Sequence, residues 1–208
     1  MLGCGNAKLS EEMYDAGYRN IYNIDISPVV IEQMADRNHH REKMLYYVMD
    51  VRDLSKFEDR MFDAAIDKST IDALLCGDDA FLNVARMTKE VQRVLKHEGI
   101  YMVISYGRPE SRLPHFERAH LDFQVRQLMV YPKDETNQMR KLDRSHYVYL
   151  CTKGKRAVKN CELNWETVEK QLKEDAIREQ NKELKGKNID KASKEEEEEE
   201  KEPQPQEK

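Results

Sequence analysis

The stretch Met1–Asp25, MLGCGNAKLSEEMYDAGYRNIYNID, determines how the rest of the chain folds. Its first two residues predict the end of a strand, GCGN predicts a turn, residues 7–16 predict a helix, and a second strand closes on Asp25. Glycine at Gly3 and Gly5 permits a sharp turn and the close approach of a ligand to the backbone. The carboxylate of Asp25 can accept hydrogen bonds from both hydroxyls of a ribose. The stretch therefore predicts a βαβ unit with a nucleoside site.

The glycine loop departs from the dinucleotide fingerprint G-x-G-x-x-G, because Lys8 stands where the third glycine would allow close packing of the helix. This disfavours an NAD-dependent oxidoreductase. A G-x-G pair alone is also compatible with an ordinary turn. The choice between a turn and a ligand-binding loop therefore depends on motifs further along the chain.

Composition excludes several classes of function. The chain has 208 residues with 39% hydrophobic and 36% charged side chains and a net charge of −5, so nucleic acid is not an expected electrostatic ligand. No apolar run approaches the roughly 18 residues of a membrane span. The 4 cysteines and 6 histidines have neither disulfide nor metal-ligand spacing. We expect a cytoplasmic protein with reduced thiols, no metal site and no membrane or nucleic-acid partner.

Two further strands end on acidic residues. The strand MLYYVMD ends on Asp50, which is followed by Val51, and this turn fits a carboxylate that recognises the amino group of a purine. An ordinary loop acid that caps the next turn is an equally open interpretation of Asp50. The strand MFDAAID ends on Asp67, beside the switch point where doubly wound sheets bind ligands. A short helix is expected to follow in KSTIDALL.

Strands and helices alternate along most of the chain. A helix capped by Ser27 begins at Pro28, and a long amphipathic helix, AFLNVARMTKEVQRVLKHEG, is expected to stop at Gly99. The strands IYMVIS, DFQVRQLMVYP and HYVYLCT follow, and no helix separates the last two. We expect an α/β fold with a doubly wound, mostly parallel seven-stranded sheet, a shortened first strand, and an antiparallel last strand at the edge.

Three motifs together resemble a known family: LGCGNAKLSEEMYDAGYRNIYNIDIS, MDVRDL and DKSTIDALLCG. They are similar to the motifs of class I methyltransferases, which have a Rossmann-like fold and use S-adenosylmethionine (SAM). Within that class, they resemble the methyltransferase-like protein-lysine enzymes that modify translation elongation factor 1-alpha. The resemblance covers residues 1–153. It implies transfer of a methyl group from SAM to a lysine of a protein substrate such as elongation factor 1-alpha.

The resemblance also implies a set of site residues. The cofactor contacts would come from Gly3, Gly5, Asn6, Asp25, Ile26, Asp50, Val51 and Asp67. Asp67 would face the sulfonium and the incoming amine, where it would attract the lysine ammonium. The chemistry of proton removal, and not the resemblance, makes Tyr106 the candidate general base, so Asp67 and Tyr106 are the predicted catalytic residues. Deprotonating a lysine of pKa ~10.4 at pH 7 costs about 4.6 kcal/mol, so the proton is the difficult part of the chemistry. The stretch SYGRPESR, residues 105–112, matches the loop that follows strand five in the family, and we expect it to contact the substrate.

Two positions differ from the family pattern. Family members carry an N-terminal helical segment and a full first strand before the glycine loop, whereas here the loop follows Met1 and Leu2 directly. About four missing apolar residues would forfeit roughly 6 to 10 kcal/mol of burial. We therefore expect either an N-terminally truncated enzyme or a catalytically inactive scaffold supported by a partner. The second difference is Ser69, where the family usually has glycine.

The chain beyond residue 153 lies outside the resemblance. Residues 154–185 are expected to form a linker and an amphipathic helix that starts near Asn164, and residues 186–208 a disordered, acidic Lys/Glu-rich tail. The apolar stripe of this helix is expected to dock on its own domain or on a scaffold partner. Its members are Trp165, Val168, Leu172, Ala176 and Ile177.

Overall fold

The computed structural model describes residues 1–131, 146–154 and 167–178. The chain divides into two compact units, Met1–Asn164 and Trp165–Lys208. Among the described residues, no helix is both long and apolar enough to span a membrane.

The first unit alternates between strands and helices. Ser27 caps the helix that begins at Pro28, as the sequence predicts, since its hydroxyl accepts a hydrogen bond from the Val30 N–H at 3.4 Å. In chain order the elements are α1 (Leu9–Asp15), β1 (Ile21–Asp25), α2 (Pro28–Arg37), β2 (Met44–Val48), β3 (Phe62–Lys68), α3 (Thr70–Leu75), α4 (Ala80–Val94), β4 (Leu95–Ser105), α5 (Pro109–Phe116), β5 (Phe123–Val130) and β6 (His146–Lys153).

The strands form a mixed α/β sheet. β1 pairs parallel to β2, β3 pairs parallel to β4, and β6 pairs antiparallel to both β4 and β5. Leu2 forms parallel bridges to Ile24 of β1 and to Asp67 of β3, so it stands between them. The spatial order is therefore β2, β1, Leu2, β3, β4, β6, β5. This confirms the expected fold class.

Two details of the predicted sheet are wrong. The described residues form six strands, and a single bridging residue, Leu2, occupies the place of the shortened first strand. The last strand is antiparallel as expected, but it lies between β4 and β5 and not at the edge. A hairpin connection allows either strand to take the inner position. β6 takes it because Tyr149 and Cys151 are fully buried, whereas β5 is largely exposed.

The boundary between α4 and β4 also differs from the prediction. The helix ends at Val94 and not at Gly99, because Leu95 is already extended and pairs with Phe62 of β3. The predicted apolar face of α4 is otherwise found in the core, since Val84, Met87 and Val91 are fully buried. The stretch expected to be a substrate-contacting loop contains the start of α5, where Pro109 occupies the first turn.

Short hydrogen bonds fix Met1 and Leu2 between β1 and β3. The Leu2 N–H donates to the carbonyl of Ile66 at 2.8 Å, the Ile24 N–H donates to the carbonyl of Met1 at 3.0 Å, and the amino terminus donates to the carbonyl of Tyr22 at 2.7 Å. The amino group is buried, and this desolvation lowers its pKa to about 6. Beyond it, β1 and β3 border a cavity of about 500 Å³ whose lining includes Ile21, Tyr22, Phe62, Ala64 and Ile66.

In the second unit, residues 167–178 form one helix, α6. Val168 and Leu172 of the predicted stripe are buried, whereas Ile177 is 58% exposed. The linker, Trp165 and the Lys/Glu-rich tail lie outside the described residues. The expected division of the chain at residues 153 and 185 therefore stays a prediction.

The buried amine makes stability depend on pH. In the unfolded chain the amine has a pKa of 8.0, so it becomes protonated as the pH falls below about 8. In the folded chain it stays neutral until the pH falls to about 6. The free energy of unfolding should therefore fall as pH is lowered through this range, by at most about 3 kcal/mol. Urea denaturation at pH 8 and at pH 6.5 measures the change.

A variant that lacks the buried amine tests this explanation. It extends the chain before Met1 by about four apolar residues, and at ~3.3 Å per residue the extension can run along the cavity. The extension replaces the buried amine with a neutral peptide N–H, so this part of the pH dependence should disappear and the melting temperature should rise. An equally long Gly/Ser extension should remove the pH dependence while raising the melting temperature less. If both extensions gave the pH profile of the parent chain, burial of the Met1 amine would be disproved.

Candidate functional site

The polar residues singled out by the sequence gather at one edge of the sheet. Asp25 ends β1, Asp50 follows β2, Asp67 lies near the end of β3, and Tyr106 follows β4. Because these four strands are parallel, their carboxyl ends meet at the same edge. Within the described part of the chain, no group of three or more His, Cys, Asp or Glu side chains is placed to hold a metal ion.

The glycine loop is packed tightly at one glycine and open at the other. Gly3 (φ +56°) lies against α3, where an added Cβ would overlap the hydroxyl of Thr70. The same hydroxyl donates a hydrogen bond to the carbonyl of Leu2 at 2.8 Å. Gly5 (φ +52°) has no atom of the described residues within 4 Å of the position a Cβ would take. The loop is thus anchored to α3 and leaves space beside Gly5 for a ligand.

Asp25 is held by the two segments that flank it. One carboxylate oxygen accepts the N–H of Gly5 at 2.9 Å, and the other accepts the N–H of Ser27 at 3.0 Å. Each oxygen keeps a further lone pair for a ligand. The side chain is only partly buried, and its neighbour Ile26 is 68% exposed. The glycine loop and the acid at the end of β1 therefore lie together, as the sequence predicts. Asn6 is exposed on the loop.

The thiol of Cys4 lies within the loop and is buried. Burial, reinforced by the nearby charge of Asp25, raises the pKa of this thiol to about 11. A thiol that is neutral at pH 7 is a poor nucleophile, so Cys4 acts as an apolar residue of the loop.

Asp50 and Val51 have different surroundings. The Asp50 carboxylate forms a salt bridge with Arg52 at 2.6 Å and accepts the Arg52 N–H at 2.8 Å. The Arg52 guanidinium holds the pKa of Asp50 below its ordinary value. Arg52 also donates to the side chain of Asn83 at 3.0 Å, a pairing that sequence reasoning missed. The side chain of Val51 is part of the core, so only its backbone can face a ligand.

Asp67, near the end of β3, is fully buried beside the first turn of α3. Its carboxylate accepts the N–H groups of Thr70 at 2.8 Å and Ile71 at 3.1 Å and the hydroxyl of Tyr101 at 3.0 Å. Burial raises its pKa to about 6. These contacts anchor the N-terminus of α3, where the residue before it, Ser69, adopts a left-handed conformation (φ +67°).

A network beside Tyr106 was missed by sequence reasoning. Arg112 donates to the Asp72 carboxylate at 2.8 Å and to the Ser105 hydroxyl at 3.0 Å, and this hydroxyl donates to Asp72 at 2.5 Å. The Tyr106 side chain is 62% exposed and its ring lies 4.3 Å from the ring of His146. The sequence signal for this network was that Asp72 and Arg112 both lie in motifs shared with the family, DKSTIDALLCG and SYGRPESR. Only the fold brings residues 40 positions apart into contact.

Comparison with known proteins finds similarity over the first part of the chain. Residues 1–103 match the family model described as "Methyltransferase domain". The chain is 42% identical over 124 residues to the human eEF1A lysine and N-terminal methyltransferase, an alignment that covers 57% of this chain and 18% of that protein. It is 33% identical over 134 residues to the mouse EEF1A lysine methyltransferase 4, covering 61% of this chain and 52% of the relative. The chain thus spans from about a fifth to about half the length of these relatives.

Solved structures confirm the fold. A SAM-dependent methyltransferase of Methanosarcina mazei superposes with a TM-score of 0.52 at 20% identity, covering 74% of this chain and 90% of that one. A geranyl diphosphate C-methyltransferase of Streptomyces coelicolor, solved with S-adenosyl-L-homocysteine, gives a TM-score of 0.54 at 12% identity, covering 73% and 68%. At these identities the likeness concerns the fold alone.

The two loop glycines should respond differently to substitution. Gly3→Ala introduces both a left-handed alanine and an overlap with Thr70, whereas Gly5→Ala introduces only the strained conformation, which costs about 1 to 2 kcal/mol. We expect Gly3→Ala to lower the free energy of unfolding by at least about 1 kcal/mol more than Gly5→Ala. Urea denaturation of both variants measures this. Equal losses would contradict the packing of Gly3 on α3.

Proposed function

We propose that this chain is a class I methyltransferase and that it transfers a methyl group from SAM to a lysine side chain of a protein. The curated relatives are named as lysine methyltransferases of eEF1A, and we propose eEF1A as the substrate here too. The cytoplasm, where translation factors work, is the proposed place of action. The alternative of a catalytically inactive scaffold gains no support from these relatives.

The main support for the proposal is the way in which the Asp25 carboxylate is held. Its two oxygens are fixed by the N–H groups of Gly5 and Ser27 and still have lone pairs available at the carboxyl end of β1. This geometry suits the two neighbouring hydroxyls of a ribose, which would each donate one hydrogen bond. The open space beside Gly5 suits the methionine end of the same ligand. These residues therefore fit SAM.

The other cofactor contacts are assigned from their positions. Asn6 and Gly3 would line the methionine end with Gly5, and the exposed side chain of Ile26 would offer an apolar surface to the adenine. The Asp50 carboxylate would accept the adenine amino group while it keeps its ion pair with Arg52, and the adjoining backbone of Val51 would contact the ring.

SAM supplies a methyl group on a sulfonium whose leaving group is a neutral thioether. The residues of this chain have to orient the amine in line with that bond and keep water away. We propose that Asp67 does so indirectly. Its buried carboxylate fixes α3, and α3 in turn supports the glycine loop through Thr70. Direct contact of Asp67 with the ammonium, and action of Tyr106 as a general base, stay predictions.

Substitution of Asp25 tests the cofactor site. Asp25→Asn removes the charge that strengthens two hydrogen bonds to the ribose, each worth about 1.5 to 3 kcal/mol, so SAM affinity should fall at least tenfold. Asp36→Asn is the matched control, because Asp36 is an exposed acid on α2. Isothermal titration of SAM into the three proteins gives the affinities. Equal affinity in the Asp25 variant would refute its assignment to the ribose.

A transfer assay tests the reaction itself. With radiolabelled SAM, the chain should label purified eEF1A, and mass spectrometry should place the label on a lysine. The label should be lost when that lysine is replaced by arginine. Tight SAM binding without labelling of any protein in a cell extract would contradict the proposed activity and restore the scaffold alternative.

A further inference from the structure

Tyr106 combines an exposed ring with an immobilised backbone. Its ring is 62% exposed, although it directly follows the buried Ser105 at the end of β4. Its N–H donates to the Asp72 carboxylate at 3.3 Å, and the next N–H, that of Gly107, donates to the Ser105 hydroxyl at 2.9 Å. The carbonyl of Gly107 accepts the Tyr149 hydroxyl at 2.7 Å. Residues on both sides of the ring are thus fixed while the ring itself faces outward.

Arg112 is the centre of this support. Its guanidinium donates to Asp72 and to Ser105, and it packs so closely on Gly107 that any Cβ there would overlap it. The side chains of Arg112 and Asp72 are only 14% and 17% exposed. A pair that is this desolvated is costly unless its geometry is well satisfied. Here both partners have several hydrogen bonds, which makes the support rigid.

The same support connects Tyr106 to the proposed SAM site. Asp72 lies on α3, whose first residue, Thr70, holds Leu2 and packs on Gly3. Tyr106 is therefore fixed to the helix that supports the glycine loop, at the same edge of the sheet. A residue held in this way is suited to present a second reactant to the first.

We propose that the Tyr106 and His146 rings form the docking surface for the acceptor lysine side chain, with Arg112 as the positioning residue that holds this surface in place. The ring centroids lie 4.3 Å apart at an angle of 45°, so His146 packs against the Tyr106 ring, which is itself 62% exposed to a ligand. An exposed tyrosine ring attracts the ammonium group of a lysine, and the neighbouring His146 ring adds surface for the apolar stem of that side chain. The ion pair with Asp72 neutralises the charge of Arg112, so a cationic ligand is not repelled. This inference rests on the proposed lysine methyl transfer.

Kinetics of the full chain with a lysine peptide of eEF1A test the inference. Tyr106→Ala should raise KM for the peptide roughly 3- to 30-fold while the Kd for SAM stays unchanged. Tyr106→Phe keeps the ring and should retain a KM close to that of the parent. Tyr18→Ala is the matched control, since Tyr18 is 64% exposed and precedes β1 at the opposite edge of the sheet.

The same assay separates a docking role from an acid–base role. If Tyr106→Phe lost kcat as severely as Tyr106→Ala, the hydroxyl would be the functional group and the docking surface would be wrong. His146→Ala should raise KM in the same direction as Tyr106→Ala. Arg112→Met should show the same rise in KM with an unchanged Kd for SAM. Arg112→Lys should bring KM only part of the way back to the parent value, because a lysine cannot reach Asp72 and Ser105 in the same planar geometry.

A binding measurement makes the inference independent of turnover. The peptide is titrated into the chain saturated with S-adenosylhomocysteine, and its Kd is compared for the parent, Tyr106→Ala and Tyr18→Ala. If the peptide binds Tyr106→Ala more weakly than the parent and Tyr18→Ala, the docking surface is supported. This holds even if no methyl group is transferred, because the lack of transfer would overturn only the proposed function. Transfer by the parent with equal peptide Kd and KM in both variants would overturn the docking surface alone. Absence of both peptide binding and transfer would overturn both.

Discussion

Among the described residues, Leu2 is the one that bridges to both β1 and β3 and so joins the two halves of the sheet. Its N–H bonds to the carbonyl of Ile66 on one side, and on the other side the carbonyl of Met1 and the N–H of Cys4 bond to Ile24. Through these bonds the β1–β2 pair becomes continuous with β3 and the strands beyond it. Since the glycine loop begins directly after Leu2, the position of the loop depends on how firmly this short segment is held.

The site gains rigidity from a chain of polar contacts along the carboxyl edge of the sheet. Thr70 ties Leu2 to α3, Asp67 anchors the first turn of α3, and Asp72 on the same helix meets Arg112. The two proposed reactant sites, beside Asp25 and beside Tyr106, therefore share one supporting helix. Methyl transfer requires that cofactor and amine be held in line, so a common support explains how a site with few polar groups could still catalyse it.

Sequence patterns predicted the elements whose signals are local. The glycine turn, the Ser27 cap and the acid at the end of β1 each depend on residues a few positions apart, and the structure contains all three. Features set by distant contacts were missed. The inner position of β6, the early end of α4 at Val94 and the Arg112 network depend on strand pairing or on residues far apart in sequence. The burial of Asp67 under α3 likewise follows from tertiary packing.

In the proposed complex, the loop after Leu2 holds the methionine end of SAM and the carboxylate of Asp25 holds its ribose. A crystal structure of this chain with S-adenosylhomocysteine tests this arrangement most directly. Both ribose hydroxyls should lie within about 3 Å of the Asp25 oxygens, and the amino-acid end of the ligand should lie beside Gly5. A ligand bound elsewhere, or a ribose that contacts other residues while Asp25 stays bonded only to Gly5 and Ser27, would show that this is not the SAM site.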